Sequence, residues 1–172
     1  MVAAWSWYGF WLALHILLVM TAFGPNIVMV PVVATMGQKH PQYGAFAAEV
    51  IHVFESKLAT PLAVLVPLTG VGLIYTSPTI GNFWKTGWLL ASILIFIVAF
   101  FFAITVQTRN AARFVEVLRS MPPGPPPEGA QPPPEVAALG KKLMRGGQFL
   151  TLALVVLLVL MVGGREGWFG YH

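Results

Sequence analysis

YGFWLALHILLVMTAFGPNIVMVPVV, from Tyr8 to Val33, carries no Asp, Glu, Lys or Arg. A helix that crosses the hydrocarbon core of a bilayer needs roughly 20 apolar residues, each rising about 1.5 Å. This stretch meets that requirement. One ionisable side chain, His15, lies inside it. The stretch therefore poses two questions at once: how many such segments follow, and what surrounds the imidazole.

Three more apolar segments follow, Leu58 to Tyr75, Trp84 to Val106 and Gly146 to Val162. Together they predict an all-α, four-transmembrane-helix bundle, a multi-pass integral membrane protein with residues 1–172 as a single membrane domain. Composition agrees. Of 172 residues, 57% are hydrophobic and only 9% charged, with no Asp, whereas a soluble domain carries about 25% charged residues. A soluble core could not absorb that apolar surface. The absence of Cys excludes disulfides and thiolate metal sites. The first segment lacks a basic leader and outruns a signal-peptide core, so it is expected to remain as a transmembrane helix.

The connections are polar or proline-rich. Gly24-Pro25 and Pro31 are expected to kink the first helix, since a proline lacks the amide donor and crowds the preceding turn. The second helix is expected to begin near Pro41 or Gln42, to run outside lipid through FAAEVIHVFESK, and to enter the apolar layer near Lys57. The third continues into QTRNAARFVEVLRS. Residues 121–134, MPPGPPPEGAQPPP, are expected to form an extended loop.

The net charge of +4 is unevenly placed. Arg109, Arg113, Arg119, Lys141, Lys142 and Arg145 fall between the third and fourth spans, with Lys39 and Lys57 on the same side. Only Lys85 and Arg165 lie opposite. Basic residues stay cytoplasmic, so both termini are expected outside a bacterial inner membrane. The basic stripe around Arg109 and Arg113 is expected to meet anionic lipid headgroups. Nucleic-acid binding is not expected.

Few residues can carry chemistry. An ionisable group in lipid usually faces the bundle interior and often marks function. His15 thus has two readings: a neutral ring bonded to a Ser or Thr of a neighbouring helix, or a cofactor ligand or proton carrier. A neutral imidazole suits haem iron. His52 is a poor second ligand, because helix lengths place it some 20 Å from His15 in depth at about 1.5 Å per residue. Glu49, His52 and Glu55 contain the Glu-x-x-His step of di-iron bundles, but those need it twice with further glutamates. No metal site is predicted from one copy. Met20, Met29 and Met36 could suit Cu(I), though methionine in an apolar helix ordinarily serves packing. No phosphate loop, nucleophile–base pair or carboxylate pair is visible.

The order of short motifs is informative. A first-span His15 precedes Thr21-Ala22-Phe23-Gly24. Thr60-Pro61 opens the second span and Thr69-Gly70 follows. Trp84 and Gly87-Trp88-Leu89 open the third. Over residues 8–106 this order resembles the four-helix relatives of HemJ-type protoporphyrinogen oxidases and CopD-like copper-resistance proteins. Within that group it is similar to a predicted integral membrane family of unknown function. The resemblance implies b-type haem and equates His15 with an essential first-span histidine. It also implies a lysine shortly after Gly-Trp-Leu, where this chain has Ser92. The pocket is then expected to persist without the oxidase chemistry, with Ser92 at the depth of His15 as its candidate partner.

Two functional expectations follow. One is a protein binding b-type haem or porphyrin through His15 in a redox or electron-transfer role. The other is a non-catalytic accessory subunit, packing against other membrane subunits or further copies of itself.

Overall fold

The structure, a computed structural model, describes residues 6–77, 84, 86–122 and 131–168. Every regular element among them is helical. In chain order these are α1 (Trp7–Lys39), a 3-10 turn (Pro41–Tyr43), α2 (Gly44–Phe54), a π turn (Glu55–Ala59) and α3 (Thr60–Thr76). Then come α4 (Gly87–Phe102), a second π turn (Ala103–Gln107), α5 (Thr108–Ser120) and α6 (Pro134–Arg165). Residues 41–76 and 87–120 are each continuous helix, so four helices are long and apolar enough to cross a membrane. The predicted all-α four-span bundle is the observed fold class. Most of the proline-rich loop lies outside the described residues, as does most of the turn before α4.

Local sequence explains the helix ends. The Ser6 hydroxyl accepts the Gly9 amide proton at 3.1 Å and caps α1. Pro134 begins α6, where its missing amide costs nothing, and Glu135 sits in the positive first turn. Gly167, at φ 75°, reverses the chain after α6. The Trp168 and Gly167 amides then satisfy the Gly163 and Gly164 carbonyls. α1 runs unbroken through Pro25 and Pro31. The side chains of Thr21 and Asn26, on either side of Pro25, bond the carbonyls of Leu17 and Ala22 one turn back.

Large apolar residues face outward and small ones inward, the reverse of a soluble protein. Leu17, Met20, Leu68, Leu94 and Leu158 are well over half exposed. Ala22, Ala59, Ala63 and Ala153 are buried. Lipid is as apolar as leucine, so burying leucine between helices gains little. Small residues let backbones approach and gain dispersion instead. The most extensive packing is α1 against α3, and α4 against α6 forms a second pair. At the basic end α2 packs on α5, and α5 on α6. The second and third long helices are thus neighbours chiefly through α2 and α5.

Each pair has a ring seated over a glycine. A Cβ at Gly72 of α3 would strike the Trp11 indole, and one at Gly164 of α6 would strike Trp88. Leu139, Gly146 and Ala153 recur every seven residues along the buried side of α6, the spacing that keeps one stripe on a neighbouring helix.

Candidate functional site

His15 lies on α1, half-buried, about two turns from the N-terminal end of that helix. Its Nδ1 is 2.9 Å from Oγ1 of Thr69 on α3. The Thr69 hydroxyl lies 2.8 Å from the Val66 carbonyl. A hydroxyl has one proton. Where that proton goes to Val66, Oγ1 accepts from Nδ1 and the Nε2 lone pair is left over; where it goes to Nδ1, Nε2 carries the ring proton. The Val66 backbone also hydrogen-bonds the ring. A ring fixed through Nδ1 with Nε2 available is the arrangement that metal-binding histidines use, since the Nδ1 bond sets tautomer and orientation.

The supporting residues are small or buried. Thr69 is 4% exposed and continues the stripe of Ala63 and Val66 that α3 turns inward. Gly70 comes next, and a Cβ there would lie 3.7 Å from His15 Cε1, an ordinary contact. Thr69-Gly70, quoted above as a motif, is thus brought against His15.

The partner expected for His15 was Ser92, and the hydrogen bond is made to Thr69 instead. Ser92 is wholly buried in α4, but its hydroxyl donates to the Trp88 carbonyl of its own helix at 2.8 Å. Antiparallel bookkeeping gives a side chain its depth. It does not say which neighbour packs closest, and α1 packs on α3.

His52 does not join this site. It lies on α2, about 25 Å of helix from Thr69 at 1.5 Å per residue. It lines a cleft of about 280 Å³ between α2 and α5, together with Glu49 and Arg119. Its Nδ1 is buried with no hydrogen-bond partner among the described residues. Glu49 is ion-paired with Arg119. Among the described residues no group of three or more His, Asp or Glu could hold a metal ion.

At the basic end Arg113 is ion-paired with both Glu116 and Glu135, each at 3.0 Å. Its guanidinium donates to the Glu116 and then the Glu135 carboxylate, and these bonds hold it above its ordinary pKa. This stripe is therefore partly neutralised within the protein. Gln107, in the second π turn, crosses to α6 and donates to the Leu143 carbonyl at 3.1 Å. Its position in a π turn gave no signal in the sequence.

A family described as "Predicted integral membrane protein (DUF2269)" matches residues 10–163. The chain belongs to this family. The match spans all four long helices of the DUF2269 protein and includes both His15 and Thr69. No curated protein and no solved structure gives a match.

Proposed function

We propose that this DUF2269 protein binds a b-type haem or porphyrin in the outer third of the bilayer, in a redox or electron-transfer role, with Nε2 of His15 as the ligand atom. The observation that carries the reading is a half-buried imidazole inside an apolar span, held at Nδ1 against Thr69 Oγ1. That bond satisfies the neutral-ring reading of His15 as well; in the tautomer protonated at Nδ1 it leaves the Nε2 lone pair for a ligand. When bound, haem would supply reversible one-electron chemistry. The chain's own part is to hold the ring in place and to exclude water with the surrounding apolar helices. The resemblance to HemJ-type and CopD-like proteins supports the same reading. The clustering of basic residues at one end supports a cytoplasmic placement of that end, with both termini outside.

The test is a visible spectrum of protein purified in detergent from haem-replete cells, followed by haem titration. A Soret band that His15→Ala abolishes and Thr69→Val shifts or weakens is the expected result. A colourless protein that takes up neither haem nor protoporphyrin overturns the reading.

A second reading has its own observation. Four other hydroxyls of the long helices turn back on their own helices: Thr21 to Leu17, Thr76 to Gly72, Ser92 to Trp88 and Thr105 to Phe101. Apart from His15 the apolar layer offers little for a ligand, which suits an accessory subunit that meets other membrane chains through lipid-like surfaces. Stable partners retained through gentle solubilisation, without pigment, are its expected signature.

A further inference from the structure

A cleft of about 540 Å³ opens between the third and fourth long helices at the basic end, where the apolar span of α6 begins. It lies far from His15 and does not depend on the haem reading. Phe102, Val106 and Asn110 form one wall, each four residues from the next. Lys142, Arg145 and Phe149 form the other, with Gly146 between them. The two helices run antiparallel, and both walls change character in the same direction. Asn110 faces the end that holds Lys142 and Arg145. Phe102 and Phe149 close the other end, edge to face at 5.0 Å between ring centres. Over about 12 Å of helix the cleft thus grades from cationic to aromatic.

The cations in it are available. Arg113 and Arg119, nearby at the same end of the bundle, are ion-paired with glutamates. Lys142 and Arg145 have no carboxylate partner among the described residues, and no carboxylate lines the cleft. Two adjacent cations at a membrane boundary, above an apolar floor, match a lipid phosphate with an acyl chain beneath it. A free anion would leave the aromatic end unfilled. A zwitterionic lipid would bring its own cation against Lys142 and Arg145.

We propose that this cleft is a binding site for one anionic phospholipid, its phosphate held by Lys142 and Arg145 and its first acyl segment laid over Val106, Phe102 and Phe149.

Native mass spectrometry of the full-length protein in detergent tests this. It is titrated with phosphatidylglycerol, with phosphatidylcholine of the same chains, and with inorganic phosphate. The expected result is a one-to-one phosphatidylglycerol adduct, favoured over phosphatidylcholine by roughly thirtyfold, the discrimination two basic residues give near an anionic headgroup. The double variant Lys142→Gln/Arg145→Gln loses that preference, while the charge-matched Lys39→Gln/Lys57→Gln keeps it. Val106→Trp fills the cleft without removing charge and also displaces the lipid, which keeps the test valid if the double variant fails to fold. Equal loss in both charge variants would mean diffuse attraction and overturn the site. So would equal retention of the two lipids, or an inorganic phosphate adduct that competes with phosphatidylglycerol.

Discussion

The two helix pairs of this bundle are built alike at one level and differently at the next. Both seat an indole over a bare glycine, Trp11 over Gly72 and Trp88 over Gly164. One turn further in, the first pair is joined by His15 to Thr69 across the interface. The second pair has Ser92 there, bonded to its own helix, and makes its cross-helix bond from Gln107 to Leu143 at the basic end. Where apolar burial gives no preference among neighbours, shape and hydrogen bonds decide register. The shape element is common to both pairs. The polar element is placed where each pair differs, and in the first pair it brings an imidazole into the interface.

The largest expected effect tests the common element. Gly72→Val and Gly164→Val should each lower stability by about 1–3 kcal/mol, because a branched side chain must displace a packed indole. Thermal unfolding in detergent would measure both. If only one variant is destabilised, the resemblance between the pairs is superficial. A smaller effect tests the difference. Thr69→Val should cost about 0.6–1.7 kcal/mol, the range measured for hydrogen bonds between membrane helices. Ser92→Ala removes only a bond within one helix and should change stability less than Thr69→Val. Equal effects would mean that the His15 bond contributes no more than a local one. The smallest effect belongs to the basic end. Arg113→Ala should change stability little, since the guanidinium and its partners are exposed, and salt should erase any difference. A large, salt-independent loss would show that this end, and not the pairs, holds the bundle together.

The fold class was legible because the segments are long, apolar and separated by polar or proline-rich connections. The partner of His15 was not. α1 and α3 are apolar around most of their circumference, so no amphipathic stripe marks which side faces a neighbour. α5 is different: its buried Ala111 and Val115 stand opposite exposed arginines, and its orientation could be read directly. For α3 the usable signal was the small residues. Ala59, Ala63, Gly70 and Gly72 show where a backbone can come close, and Thr69 lies among them. Weighing that stripe above depth would have chosen Thr69 over Ser92. The lipid-binding cleft was half visible. Its cations were plain in the sequence, but that Arg113 and Arg119 are occupied and Lys142 and Arg145 are not depends on contacts between distant segments.

The two π turns carry a consequence for how such a chain can change. Glu55–Ala59 and Ala103–Gln107 each stand where a long helix passes between its apolar and its charged half. A π turn accommodates one extra residue, which rotates everything beyond it by about 100° relative to an uninterrupted α-helix. Both halves of the second helix pack on α1, and its charged half α2 also meets α5; both halves of the third pack on α6. Deleting one residue at either junction would swing the charged half round by more than a quarter turn relative to the apolar half. Each π turn therefore sets the rotation of two helix halves separately, while α1 and α6 run unbroken past both.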